Sequence, residues 1–418
     1  MSEDMRQDFG RLEVKQPGLV VRPENTDQLA AALADLRARQ LPYKLRGAAH
    51  SSGGQVLIEG GAVVALAGLD QIVADDPDSA EITVGGGASW LAISEHLRGH
   101  GRRPLGLTDQ LRTTVAGTLS AGGFCDTSHR YGLQLGSVRR LQLVTPDGER
   151  HRLEPSDELF GFALGGLGQL GAITEATIET CTTKPLLAAR TLRWYSVAAF
   201  VRDSIAITEG SLYDFVRARF VWSEGGTRAH VDATVGNFAD ALPATDPALA
   251  SIAPTVAGNV ELFDLLAELG RDQLAGWDWS TAALEMVLPL PDAVELWPEL
   301  EARIVDAEIH KHFRRGAGAM VLPCRPRLPL APLPSSDHCL VVALRPRATR
   351  DRARELIGPL RELAALALAA GGKIYMIGVE NLTSDQLVLQ YGPVLDRWLE
   401  LKRELDPDHL CNPGLLPR

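Results

Sequence analysis

Residues 46–55 read Arg-Gly-Ala-Ala-His-Ser-Ser-Gly-Gly-Gln. A core strand carries bulk, and this segment carries almost none. It therefore cannot be a packing element, whatever fold surrounds it. Small residues let backbone approach a flat or charged ligand closely. The imidazole of His50, central in such a loop, is placed for chemistry rather than for packing.

The chain has 418 residues, enough for two domains with their own cores. Its 42 basic and 53 acidic residues give a net charge of −11. That balance argues against nucleic-acid or anionic-membrane partners, which need a basic surface. The five cysteines are odd in number and widely spaced, with no CxxC, so neither a zinc site nor a disulfide framework is expected. Met1–Met5 lacks a basic and apolar leader. The apolar run Leu363–Ala370 is too short to span a bilayer. A cytoplasmic protein with no membrane partner is the expectation.

Up to about residue 180, short helices, short strands and glycine clusters alternate. Asn25 and Gln28 resemble a capping box, opening a helix with Leu29, Leu33 and Leu36 on one face. Strands are expected at Leu41–Leu45, Ala62–Leu66, Glu81–Val84 and Ala172–Thr180, and helices from Ser89 to Leu97 and Ser156 to Leu164. Leu141–Val144 before Thr145-Pro146-Asp147-Gly148 signals a hairpin. After Lys184-Pro185 the glycine clusters thin out and longer elements appear: strands at Phe215–Trp222 and Leu340–Leu344, helices at Asp292–Asp306, Arg350–Ala370 and Ser384–Leu405. Proline-rich Pro323–Pro334 reads as a surface loop between strands.

Gly166-x-Gly168-x-x-Gly171 fits the dinucleotide fingerprint in letters only. That fingerprint leaves a strand and opens a helix, so that the helix N-terminus faces the pyrophosphate. Here a helix precedes and a strand follows, so a tight crossing, or backbone packed on another ligand, is expected instead. Thr114–Gly123 interleaves hydroxyls with small residues, which suits either a phosphate cradle or a packing seam. Asp109, taken alone, reads as a loop carboxylate capping a nearby N–H. Glu308, His310 and His312 alternate in a segment that looks helical and lack a further ligand, so no metal site is expected.

Four segments, in this order, resemble the vanillyl-alcohol-oxidase/p-cresol-methylhydroxylase flavoproteins, and within them the cytokinin dehydrogenases. They are Arg46–Gln55, Thr108–Gly123, Leu159–Thr174 with its Gly165–Gly171 core, and Asp406-Pro407 to Asn412-Pro413-Gly414. The resemblance implies an α+β fold: a two-part FAD-binding domain of the PCMH type, residues 1–183 and 373–418, around a cap or substrate domain, 184–372, with an antiparallel sheet flanked by helices. It implies FAD, bound covalently through His50 at the flavin 8α carbon. Ala49 stands where the cytokinin dehydrogenases carry glycine, and tightens the loop. Arg112 stands where some relatives carry a second, cysteine tether, and Cys125 lies thirteen residues further on, so at most one covalent link is implied. By position, Gly47, Ala48, Ala49, Ser51, Gln55, Thr114, Ser120, Phe124, Ile173 and Asn412 would line FAD, with Thr118 in the same loop. Ile173 would present backbone to the adenine or pyrophosphate side, and Asn412 would approach the isoalloxazine end.

The same resemblance makes Asp109, in Thr108-Asp109-Gln110-Leu111, the proton acceptor while hydride passes from an adjacent C–H to flavin N5. Gln110 replaces a tyrosine there. A carboxylate on the apolar side of a flavin is expected to have a raised pKa. The implied activity is an FAD-dependent oxidase or dehydrogenase acting on a small amine or alcohol, with oxygen or a quinone-like compound as acceptor. An alcohol or sugar oxidase on the same fold, and a non-catalytic FAD-binding protein, are the alternatives.

Overall fold

Asn25 starts the first helix, Thr26–Ala38, by accepting the Gln28 N–H at 2.9 Å. The capping box is incomplete: the Gln28 side chain accepts instead from the Glu24 N–H, one residue before the cap. Leu29, Leu33 and Leu36 form the buried stripe. They pack with Tyr43, Ala62 and Val64 of a three-stranded parallel sheet, ordered Leu19–Val21, Ala62–Ala65, Tyr43–Arg46. This is a computed structural model, and it describes residues 4–242, 255–256, 260–270 and 278–416. Residues 1–3 of the N-terminal segment and residues 417–418 lie outside the described residues.

A six-stranded antiparallel sheet follows. Its path runs Ile72–Asp76, Glu81–Gly85, Ala172–Thr182, Val138–Val144, Arg150–Leu153, and Arg102–Pro104 pairs with the far end of Ala172–Thr182. The expected hairpin is present between Val138–Val144 and Arg150–Leu153. Helix Trp90–Arg98, capped by Ser89, and helix Val115–Ala121, capped by Thr114, cover this sheet through Trp90, Ile93, Leu97, Val115 and Leu119. The helix expected from Ser156 starts at Glu158 with Asp157 at its cap, and stops at Ala163. The Asp157 carboxylate turns back to accept the Glu154 N–H, which holds the chain out of helix for two more residues.

The third unit is a nine-stranded sheet. Along its core, Leu186–Trp194, Ala229–Ala239, Phe215–Trp222, Ala317–Pro323, His338–Leu344 and Leu284–Pro289 lie side by side, all antiparallel. Strand alternation gives the sheet two unlike faces. Val216, Ala218, Phe220, Leu340, Val342, Leu344, Leu284 and Met286 point into a large apolar cluster. Helices Val197–Glu209, Asp292–Asp306 and Ile357–Ala369 close it with Phe200, Trp297, Leu300, Leu363 and Ala367. The architecture is α+β, with antiparallel sheets and helices on their faces.

The structure differs from the sequence reading in four further places. The expected helix Arg350–Ala370 is two, Arg350–Glu355 and Ile357–Ala369, because Pro359 has no N–H to donate to Glu355. Ser384–Leu405 is likewise Ser384–Tyr391 and Val394–Leu405, broken where Gly392 takes φ +58° before Pro393. Pro323–Pro334 is no mere surface loop: Leu330 is buried against Phe162, Leu170 and Trp398. Lys373–Ile374 adds a strand to the nine-stranded sheet beside Leu284–Pro289, past the boundary expected at 372. At the other end of the chain, the Gly10 carbonyl accepts from the Thr281 N–H at 3.0 Å, and Leu12 joins the large cluster.

The C-terminus returns to the parallel sheet, where Cys411 bridges Tyr43. A buried ion pair, Lys402–Asp406 at 2.7 Å, holds that return. The Lys402 ammonium also donates to the Gln169 and Cys411 carbonyls, and Asp406 accepts the Leu410 and Cys411 N–H groups. Removing one partner of such a pair leaves a buried charge unmatched. Lys402→Ala is expected to lose about 3–5 kcal/mol of unfolding free energy, measured by urea denaturation.

Candidate active site

The loop 47–55 leaves the end of strand Tyr43–Arg46, and its neighbours fix its path. Arg46 is buried and donates to the Asp4 and Gln7 carbonyls. Gly47 presses against Thr114: a Cβ there would lie 2.3 Å from Thr114 Oγ1. Ala49 sits at φ +56°, in the left-handed region that glycine occupies without penalty. The Phe9 N–H donates to the Ala49 carbonyl, and the Phe9 ring stacks on His50 at 5.2 Å. Ser52 ties the loop to the nine-stranded unit, through the Ile377 carbonyl and the Ala283 N–H.

This loop lines two cavity lobes, and a third adjoins the smaller of them. The largest, about 680 Å³, is lined by Lys44, Gly47, Ser51, Gln55, Ser120, Ile173 and Asn412 among others. The smallest, about 180 Å³, lies between Gly47, Ala48, Ala49, His50, Thr114, Thr118 and Asp109. The third, about 550 Å³, shares Asp109, Phe124, Glu285 and Arg345 with the second and opens over the nine-stranded sheet.

Every residue expected to line FAD or to act in the chemistry lines one of these lobes, though several do so in unexpected ways. Thr118 is on helix Val115–Ala121 rather than in a loop, and its hydroxyl accepts from Trp90 Nε1 at 2.9 Å. Thr114 is spent on capping, accepting the Gly117 N–H. Gln55 braces the loop itself, taking the Gly53 N–H and donating to the Gly378 carbonyl. Phe124 meets Tyr375 edge-on beside the smaller lobes. Asn412 lines the largest lobe and not the His50–Asp109 lobe. Its amide accepts the Leu45 N–H and donates to the Gly168 carbonyl, so it joins the C-terminus to the Gly166–Gly171 crossing.

The electrostatics centre on residues that the sequence reading missed. Burial, with Arg345 nearby, pushes the His50 imidazole down to about 4, so it is neutral at pH 7. Burial pushes Asp109 up, but Arg217, Arg345 and Arg219, with a hydrogen bond from Gln110, outweigh it. The carboxyl therefore lies below its ordinary 3.8, and the expectation of a raised pKa is overturned. The reason is tertiary: Arg217 and Arg219 of one strand, and Arg345 just past another, act on one loop carboxylate. Asp126 is forked by Arg217, yet burial and Asp109 lift it to about 6. Strand parity alone could have flagged Arg217 and Arg219, two cations on one side of an otherwise apolar strand.

Two other sequence features stand apart from the site. Glu308 pairs with Lys311, and His310 and His312 lie on a 3₁₀ turn rather than an α-helix. Among the described residues, Asp75, His96 and His100 bring three ligand-type atoms together, but Asp75 is held by Arg102 at 2.6 Å. Cys125 is buried against Thr127 and Ser128, and Arg112 donates to the Gly270 carbonyl.

The lobes fit a large, flat, partly anionic cofactor. His50 Nε2 and Ser51 Oγ are buried and have no partner in the protein. Such orphaned polar atoms beside a glycine cradle are what a bound group would satisfy. The Lys44 ammonium, brought down to about 8 by burial, stands at the same lobe and donates to Pro413.

Comparison with known proteins agrees. The FAD binding domain family matches residues 17–154. An uncharacterized oxidoreductase, ORF5 in the fasciation locus of Rhodococcoides fascians, is 26% identical over 97% of this chain and 95% of its own length. Cytokinin dehydrogenase 3 of Oryza sativa subsp. japonica is 35% identical over 41% of this chain and 34% of its own. For cytokinin dehydrogenase 4 of Arabidopsis thaliana the figures are 30%, 52% and 46%, so the match spans less than half of these plant relatives. The chain carries an FAD-binding domain of the PCMH type and is an FAD-binding oxidoreductase homologous to the cytokinin dehydrogenases.

Proposed function

We propose that the protein oxidises a C–H bond next to an amine or hydroxyl of a small molecule, with Asp109 as proton acceptor and FAD tethered through His50. One observation carries the reading: His50 and Asp109 face the same 180 Å³ lobe, between a cofactor-sized lobe and a second cavity. Bound FAD supplies the two-electron acceptor, which oxygen or a quinone-like compound then regenerates. Gly47, Ser51, Ser120, Ile173 and Lys44 hold it along the largest lobe. His50, neutral and with an unpartnered ring nitrogen, is in the nucleophilic form that a covalent tether requires.

Asp109 is ionised at neutral pH and accepts a hydrogen bond from the substrate N–H or O–H. That contact orients the donor carbon and gives the proton a destination. Its arginine neighbours keep it ionised at the expense of basicity. The tyrosine that Gln110 replaces would add bulk, so this wall of the pocket is reshaped.

The tether is tested by precipitating the yellow protein with acid. Colour is expected in the pellet for the parent and in the supernatant for His50→Ala; release from the parent would rule the covalent link out. Ala49→Gly relieves the left-handed alanine and is expected to stabilise the protein by up to about 1 kcal/mol, read as a higher melting temperature.

Asp109→Asn should lower kcat roughly 10²–10⁴-fold while flavin absorbance stays unchanged. Undiminished turnover would remove Asp109 from the chemistry. A base acts only when deprotonated, so activity falls as pH drops through its pKa. With Asp109 held below 3.8, its acid limb in kcat/KM should lie below that value, leaving no carboxylate limb from Asp109 near neutrality.

A further inference from the structure

The face of the nine-stranded sheet turned away from its helices is built unlike the rest of this acidic chain. Arg217 and Arg219 of strand Phe215–Trp222 line the 550 Å³ cavity with Arg345 and Arg347, just past strand His338–Leu344, and with Arg314 and Arg315 of the bend before strand Ala317–Pro323. Four carboxylates share the cavity: Asp109, Asp126, Glu268 and Glu285. Cations therefore outnumber anions here, in a protein whose net charge is −11.

Two of the arginines at the centre of the cavity hold carboxylates. Arg217 forks Asp126, and Arg345 holds Glu285, with Nε at 2.8 Å. Asp232, the register partner of Arg219 on the neighbouring strand, is taken bidentately by Arg193 at 2.6 and 2.7 Å. No hydrogen bond or ion pair joins Arg219, Arg314 or Arg315 to a described side chain. Register then shows where the space is. Arg219, Gly318, Ala343 and Glu285 form one row across four adjacent strands. The two small residues in the middle leave a floor without bulk, flanked by a guanidinium on one side and the Glu285–Arg345 pair on the other.

We propose that this cavity selects a substrate carrying an anionic group, a carboxylate or a phosphate, which Arg219 binds from the floor together with Arg347 and the rim arginines Arg314 and Arg315. The proposal rests on Asp109 facing the substrate, since the same lobe holds both. Guanidinium forks match carboxylate and phosphate oxygens in pairs, with strength and direction that a neutral hydroxyl does not draw. Gathering like charges around a half-buried guanidinium is unfavourable until an anion joins them. Consistently, burial and Arg217 lower Arg219, and burial with Arg314, Arg345 and Arg315 lowers Arg347. The anion fixes one end of the substrate on the sheet and leaves its oxidisable end at Asp109.

The test melts the purified flavoprotein at constant ionic strength, set with chloride, in benzoate, phenyl phosphate or benzyl alcohol. At least one anion is expected to raise the melting temperature at roughly tenfold or more lower concentration than the alcohol. The two anion arms separate carboxylate from phosphate. Arg219→Gln with Arg347→Gln should abolish the difference, and Arg219→Lys should retain part of it. Should the double variant not fold, Arg315→Gln, on the exposed rim, should still weaken anion binding severalfold relative to the parent. Equal behaviour of the alcohol and both anions, or an anion preference untouched by the arginine variants, overturns the proposal. Because melting reads no turnover, inactivity of the enzyme, or full activity of Asp109→Asn, defeats the catalytic reading while leaving this result intact.

Discussion

The clasp at the C-terminus is the constraint on which the rest depends. A parallel sheet of three short strands cannot by itself hold open a long cleft beside it. The Lys402–Asp406 pair closes on four backbone groups of segments 169 and 410–411, and Asn412 spans the gap between strand Tyr43–Arg46 and the Gly166–Gly171 crossing. A buried ion pair is weak evidence of stability when it stands alone. Here all three ammonium protons and both carboxylate oxygens find partners, which gives the pair its geometric value. The wall of the largest cleft is thus assembled from both ends of the chain.

From that wall the chemistry follows through electrostatics rather than through shape alone. The two groups nominated for chemistry, His50 and Asp109, are both held deprotonated, the imidazole chiefly by burial and the carboxylate by three arginines. Arg345 acts on both groups, adding to burial at the imidazole and to Arg217 at the carboxylate. It is itself anchored by Glu285, on the adjacent strand of the nine-stranded sheet. The middle of the chain therefore does more than cover the site: it sets the charge of residues supplied by the N-terminal part. This also explains why the same face of the sheet is rich in arginine and poor in bulk at Gly318 and Ala343.

Much of this was legible in the sequence. Period-2 and period-3.6 patterns located Phe215–Trp222 and Asp292–Asp306 to the residue, because each stands on a strong apolar stripe. The breaks at Leu356 and at Gly392-Pro393 were missed because apolar spacing continues across them, while a single missing N–H or a left-handed glycine interrupts the helix. Thr118 was read as loop because its neighbours are small. Only its partner Trp90, distant in sequence, shows that it belongs to a buried helix. Asp109 lines a cavity, with its pKa shifted opposite to the expected direction.

By itself, the sequence determined which segments could approach a flat, charged ligand and which could fill a core. Residue size and spacing settle both locally. It also determined the family, through four motifs whose order no local rule requires. Only the tertiary structure decided the protonation of Asp109 and His50 and the sign of the 550 Å³ cavity. Those depend on distances between side chains more than a hundred residues apart, and Coulomb energies change steeply with distance where burial removes the screening of water.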